Sequence, residues 1–403
     1  MALIPTVPIV HTRLFLLICV LLGTGCGQQL EQLREHYRPT SPRDAYIHGL
    51  VQSGIDQRLI VQRWMAEGEA VLERPTLPTL PYVEEGYLMA SDIMALGYHL
   101  ELTRGQQLIV EARSDDGFVV FADLYEPSTA EGELIRRLSS ADSTGRLIWD
   151  VRRTGSHLLR VQPEILSEGS YILRIRTSAS LIFPVAGHSI SSAQSLFGVE
   201  RDGGRRSHDG IDIFARRGTP VVAVRSGRVT RVQTTARGGK QIWLRDVMEH
   251  NFYYAHLDSQ MVHEGDRVQP GDTLGVVGNT GNARTTPPHL HFGIYQRGPH
   301  DPWPFVYQPT LRPSRVAVDR APFGSWRIVV EPVYLHAIPS RRSTDRSQIN
   351  PSARIHVIGG TASWYHVRLD DGRSGYLSSS DLIRTRAGEY PDMVESAGIA
   401  GRG

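Results

Sequence analysis

Residues 289–292 read His289-Leu290-His291-Phe292 and follow a Gly-rich run, Gly278-Asn279-Thr280-Gly281. Successive side chains on a strand point to opposite faces, so His289 and His291 share one face while Leu290 and Phe292 take the other. Two imidazoles over an apolar back suit a strand that buries one side and offers metal or proton chemistry on the other. Upstream stands His208-Asp209-Gly210-Ile211-Asp212. Fully extended, this stretch would separate the outer two Cα atoms by about 13 Å at about 3.3 Å per residue; Gly210 lets the chain bend and bring both side chains to one point. With one histidine of the 289/291 pair, the set holds two nitrogens and a carboxylate oxygen, a common complement for a catalytic zinc with an open position. Between the two lies Tyr253-Tyr254-Ala255-His256-Leu257. A lone His-x-His means little in a chain with 16 His, but three spaced fragments are much harder to assign to chance.

From about residue 183 to 300 the chain resembles the lysostaphin-type zinc endopeptidases, which cut peptide cross-links in bacterial peptidoglycan. The resemblance runs through His208-x-Gly210-x-Asp212, Gly218-Thr219-Pro220-Val221 and Ser226-Gly227-x-Val229. It continues through Tyr254-Ala255-His256-Leu257, Gly265-Asp266-x-Val268-x-x-Gly271 and Gly278-x-Thr280-Gly281, and ends at His289-Leu290-His291-Phe292. It implies that His208, Asp212 and His291 bind Zn²⁺ and that His256 and His289 are the two catalytic histidines. The stretch 282–288 departs from the family's shorter pattern and bears on the groove rather than on the metal. Groove loops 201–207 and 282–288 would choose the bond cut, Gly-Gly bridges and direct diaminopimelate links both being handled in the family. Arg205 and Arg206 are candidates for meeting substrate carboxylates, beside a plain solvated role. The rival function on the same scaffold is a non-catalytic wall-binding or regulatory protein that activates another hydrolase; five intact residues favour the enzyme.

Other readings fall away. No HExxH helix motif is present, so a thermolysin-like site has no support. The β-rich pattern around 264–274 also occurs in biotinyl and lipoyl carriers, which need an exposed hairpin Lys. The chain's single Lys, Lys240, sits in Arg237-Gly238-Gly239-Lys240 without the flanking residues of such a hairpin. A net charge of +2 at pH 7 gives no nucleic-acid footprint.

At 403 residues the chain is expected to be multidomain and mainly β. Residues 1–26 read as a lipoprotein-type signal peptide: Arg13 precedes an apolar run over 14–22, too short to span a bilayer, then Gly23-Thr24-Gly25-Cys26. Of the two Cys, only Cys26 would survive cleavage, so it reads as a lipid acceptor holding the protein to the envelope membrane, in the periplasm. Residues 27–82 read as a helical segment, a small hairpin or stalk, closed by a Pro-rich linker. Ser41-Pro42-Arg43-Asp44 supplies a cap, and Tyr46, Leu50 and Val51, then Ile60, Trp64 and Met65, supply stripes. Over 83–180 a period-two pattern (Tyr98, Leu100, Leu102; Leu147, Trp149, Val151; Tyr171, Leu173, Ile175) predicts an antiparallel β-sandwich similar to the domains that accompany secreted bacterial peptidases. Its Asp115, Asp116 and Asp123 read as turn carboxylates, with calcium binding as the alternative. Residues 181–310 are expected to form a barrel-like antiparallel β metallopeptidase domain. Residues 323–386 resemble bacterial SH3-like barrels through Trp364-Tyr365-His366-Val367 and Gly375-Tyr376-Leu377, modules that bind wall peptides or serve only as packing. The tail 387–403 reads as disordered. Peptidoglycan stem peptides are the expected partner, and nothing in the sequence bears on oligomeric state.

Overall fold

The computed structural model describes residues 41–126, 136–201 and 203–388. The signal-peptide reading with Cys26 and the tail beyond 388 lie outside these residues. Among the described residues, no helix is long and apolar enough to cross a membrane. The helix Pro42–Gln52 starts where its cap dictates. Ser41 Oγ accepts from the Asp44 N–H at 3.1 Å, and Pro42 occupies the first turn, where no N–H is needed.

The helix Leu59–Glu73 buries Val61, Trp64, Gly68 and Leu72. Trp64 therefore faces the core as its spacing implies, while its buried companions are not Ile60 and Met65. The helix packs onto the sheet that follows it. Trp64 Nε1 donates to the Pro163 carbonyl at 2.8 Å, and Gln162 Nε2 donates back to the Trp64 carbonyl at 2.7 Å. Arg160, 2% exposed, ties Glu69 of the helix to the equally buried Asp123 of the sheet. Asp123 is thus a paired core carboxylate, and Asp116 accepts from the Ser170 N–H at 2.6 Å.

Two antiparallel sheets enclose the first core. One runs in the order Leu96–Leu102, Gly155–Pro163, Val120–Glu126, Arg136–Ser140; the other places Tyr82–Leu88, Gly169–Ala179, Gln106–Ser114 and Arg146–Asp150 side by side. The alternation does its work as read: Tyr98, Leu100, Leu102, Leu147, Tyr171, Leu173 and Ile175 are all buried between them.

The second sheet does not stop at Tyr82–Leu88. Its edge pairs with Arg354–Thr361, through Glu85 opposite Gly360 and Gly86 opposite Gly359. The sheet then continues through Trp364–Leu369, Ser374–Ser378, Val333–His336 and Arg346–Ile349. The described sheets are open paths, so the expected small closed barrel is not formed. Glycine makes the joint possible: a Cβ on Gly359 would lie 2.5 Å from the Glu85 carbonyl oxygen, and one on Gly86 would lie 2.4 Å from the Tyr171 ring. Trp364 and Tyr376, the two aromatics that carry the SH3-like resemblance, are buried in the sandwich core.

A buried polar knot spans this joint. Glu84, 0% exposed, accepts hydrogen bonds from Tyr171 at 2.6 Å, Tyr98 at 3.1 Å, Tyr82, and His366 Nδ1 at 3.0 Å. Burial pushes its carboxyl pKa up, but the His366 charge and these donors outweigh that and hold it below the usual value.

The metal-bearing part has its own core. Its main sheet runs Arg267–Val268, Gly227–Thr235, Gly239–Arg245, Asn251–Leu257, His289–Tyr295, Ile211–Phe214, Ala193–Ser195, and faces a small sheet of Pro220–Val222, Thr273–Val276 and Ser259–Gln260. Ile211, Ile213, Ile242, Leu244, Phe252, Tyr254, Leu290 and Phe292 are all 0% exposed on the inner face. At about 1.5–3 kcal/mol for each fully buried large apolar side chain, that face anchors the strands that carry the histidines.

Candidate metal centre

Leu290 and Phe292 point inward, so His289 and His291 face outward together on the strand His289–Tyr295. In the ladder, Asp212 lies directly opposite His291 and Phe214 opposite His289. His208 enters just ahead of the strand Ile211–Phe214. Three donor atoms meet: His208 Nε2 lies 2.9 Å from His291 Nδ1 and 3.0 Å from Asp212 Oδ1, and the last two are 3.0 Å apart. Two imidazole nitrogens and a carboxylate oxygen so close together are a donor set that would hold Zn²⁺. Among the described residues this is the one His/Asp group able to hold a metal.

The ligand atoms are preset. His208 gives its Nδ1 proton to the Leu196 carbonyl at 2.9 Å, which leaves Nε2 as the free nitrogen. Asp212 Oδ2 accepts from Arg201 Nη2 at 2.8 Å, so Oδ1 alone is turned to the two imidazoles. Burial pushes the Asp212 carboxyl up, yet hydrogen bonds from His208 and His291 and their charges prevail, holding it far below the ordinary carboxylate range. Burial pushes His291 down, against the pull of Asp212, which favours the neutral, ligating imidazole.

Gly210 does what its position suggests and more. The chain bends at this residue, as read, and a Cβ there would lie 2.4 Å from the Phe292 carbonyl oxygen and 2.9 Å from His291 Cε1. The glycine therefore also lets the backbone lie close against the His291 ring.

His256 reaches the same face by an irregularity. Strict alternation would send it inward, since Tyr254 and Leu257 are both buried. Between the pairs Ile242/Tyr254 and Lys240/Leu257 the strand Asn251–Leu257 carries one extra residue, and His256 adopts φ 62°. This bulge re-aims the side chain outward, at a cost of about 1–3 kcal/mol for a non-Gly left-handed residue. The Gly-rich runs hold it there. Gly239 and Gly281 pack backbone to backbone, and the Thr280 carbonyl accepts from His256 Nδ1 at 2.9 Å. Nε2 is left facing the site.

The His256 ring lies 5.1 Å from that of His289 and 6.0 Å from that of His291. Burial, then the neighbouring His291 and His289, push the His256 pKa down to about 4, so it is neutral near pH 7. His289 Nδ1 bonds the Pro287 carbonyl at 2.9 Å, so the divergent stretch 282–288 supplies the group that orients this imidazole.

The structure therefore gathers all five residues singled out in the sequence. It adds Arg201, which the sequence analysis passed over for Arg205 and Arg206; its cross-strand pairing with Arg206 in the hairpin Glu200–Ser207 is not visible in residue order. It also adds Tyr253, whose ring edge meets His291 at 5.7 Å. Lys240 gives its ammonium to the Asp258 carbonyl at 2.6 Å and is not a free hairpin lysine.

Residues 206–302 match the model of peptidase family M23. The chain is 37% identical over 138 residues to the L-Ala–D-Glu endopeptidase of Bacillus subtilis, covering 32% of this chain and 42% of that protein. It is 35% identical over 95 residues to peptidoglycan DD-endopeptidase ShyC of Vibrio cholerae, covering 24% of this chain and 22% of that protein. The chain thus spans less than half the length of these curated relatives. Among solved structures, the catalytic domain of lysostaphin from Staphylococcus simulans is 34% identical, with 28% of this chain and 87% of that chain covered and a TM-score of 0.25. Residues 206–302, which carry the five gathered residues, are a peptidase family M23 domain.

Proposed function

We propose that the protein is a zinc-dependent endopeptidase that hydrolyses peptide cross-links of bacterial peptidoglycan. The observation that carries this reading is the convergence of His208 Nε2, Asp212 Oδ1 and His291 Nδ1 beside two further outward-facing imidazoles. The donor set suits zinc, which when bound lowers the pKa of a coordinated water toward about 7 and polarises a carbonyl. The chain's own groups do the rest. His256, neutral near pH 7 with its Nδ1 proton held by Thr280, accepts a proton at Nε2. His289, held through Nδ1 by Pro287, stabilises developing charge or protonates the leaving amine in this reading, and the two imidazoles can exchange these roles without altering the arrangement. The relatives named as peptidoglycan endopeptidases support the substrate class.

In this reading residues 181–310 are the hydrolytic unit, 83–180 and 323–386 form the platform beside it, and Cys26 anchors the chain to the envelope membrane by a lipid. The test is digestion of purified sacculi by the full chain with zinc, with a chelator, and after zinc is restored. Release of peptides with new amino termini, abolished by the chelator and recovered with zinc, is the expected result. A zinc-loaded protein that binds sacculi but releases nothing would leave only the scaffold role.

A further inference from the structure

Away from the metal centre, a cavity of about 330 Å³ lies where the sandwich meets the metal-bearing part. That is within the range of ordinary small-ligand sites, about 300–1,000 Å³. Its wall joins Arg104 and Arg152, from turns of the sandwich, to Arg225, Met248, His250 and Phe305. The two parts are pinned around it. Arg104 Nη2 donates to Gln296 Oε1 at 2.6 Å, and the Phe305 ring fills the space a side chain on Gly105 would need.

The balance of charge indicates what this space would take. Arg225 is compensated, bonding Asp150 and lying 3.8 Å from Asp246. Arg104 is partly buried, and among the described residues its hydrogen-bond partner is the neutral Gln296 amide, with no carboxylate; burial lowers its pKa accordingly. Arg152 has its guanidinium over the Trp149 ring, 4.9 Å from the centroid, and again no carboxylate. His250 is a built element of the wall. Its Nδ1 donates to Asp246 Oδ2 at 3.0 Å, and Asp246, with a side chain 1% exposed, also takes the Met248 and His250 N–H groups at 2.9 and 2.8 Å. The buried carboxylate thus fixes the imidazole and leaves Nε2 for a ligand. Partly buried cations are stabilised by anions.

We propose that this junction cavity binds a short peptide through its terminal carboxylate. Arg104 and Arg152 take the carboxylate, His250 bonds beside it, and Met248 and Phe305 pack small apolar side chains. The apolar floor is what favours an organic carboxylate over a bare oxyanion. The site stands apart from the metal centre and does not depend on the peptidase reading.

The test is calorimetric titration of the full chain with N-acetyl-D-alanyl-D-alanine, with the C-terminal amide of that dipeptide, and with inorganic phosphate, all in the presence of a chelator so that the metal centre takes no part. The free acid is expected to bind at one site and the amide at least tenfold more weakly. Arg104→Gln and Arg152→Gln are each expected to weaken the acid at least tenfold. Arg152 is exposed and makes none of the bonds that pin the junction, so its variant keeps the test valid if Arg104→Gln loosens the structure. Absence of binding, equal binding of acid and amide, tighter binding of phosphate than of the acid, or unchanged affinity in Arg152→Gln overturns the proposal.

Discussion

Two of the buried carboxylates, Glu84 and Asp212, are built to opposite ends. Glu84 is closed on itself: three phenols and an imidazole converge on it, every donor is core, and no solvent reaches it. Asp212 is met by two imidazoles and a guanidinium at a groove face, with one oxygen tied back by Arg201 and the other turned to the histidines. Both ionise readily for the same reason, donors outweighing desolvation. The first arrangement satisfies its charge entirely from within the protein; the second gathers three lone-pair donors around one point, which suits a cation. A saturated knot serves cohesion, and a set of converging lone pairs serves chemistry.

The largest expected effects break the second cluster. His208→Ala is expected to lose both bound zinc and hydrolysis, whereas His289→Ala keeps zinc and loses about 10²–10⁴-fold in turnover. Metal analysis beside peptide-release rates checks this, and full zinc in the His208 variant would contradict the assignment. The first cluster is broken by Glu84→Gln, expected to cost about 3–5 kcal/mol of folding stability because a buried ion pair loses one member. Denaturant titration measures it, with zinc content per folded molecule unchanged. Its pH dependence follows from the sign of the shift. Glu84 titrates lower in the folded state than its ordinary value of 4.5, so its contribution is present above that pH and is lost as pH falls through the folded value. Wild-type stability should therefore drop more steeply with acid than that of the Gln variant. The smallest effect sharpens the comparison: Arg201→Ala is expected to weaken zinc binding about 10–100-fold without removing it, as loss of a group orienting a ligand does. Competition with a chelating dye reads this, and unchanged affinity would mean Arg201 only covers the groove.

Much of the groove side of this contrast was legible in residue order because it obeys local periods. His289 and His291 are two apart on a strand, and their apolar partners are the core residues that alternation requires. His256 shows the limit: its fragment was recognisable, but its direction depends on a bulge set by a neighbouring strand, and no pattern within residues 253–257 encodes that. Gly210 was noticed for its bend, but its close approach to the His291 ring depends on a strand about 80 positions on and is not visible in residue order. Glu84 was invisible. Within its strand it looks like an ordinary outward acid, and its partner His366 lies 282 positions away. The shared sheet was missed for the same cause, since local alternation says nothing about which edge a strand will find. Trp364 and Tyr376 were noticed for a hairpin pattern that leaves peptide binding and core packing equally open, and the core they enter belongs largely to the other end of the chain.

The pairing of Glu85-Gly86 with Gly359-Gly360 makes the metal-bearing part an insertion between two stretches that share one sheet. During synthesis the first strand of that sheet emerges with one edge raw and must wait until nearly the whole polypeptide has been made. Meanwhile the inserted cassette, whose two ends are clasped by the bond from Leu181 to Phe305, has every strand it needs. Trimming the carboxyl-terminal strands would thus strip a neighbour from the opening sheet, so the two termini must be retained or discarded as a pair.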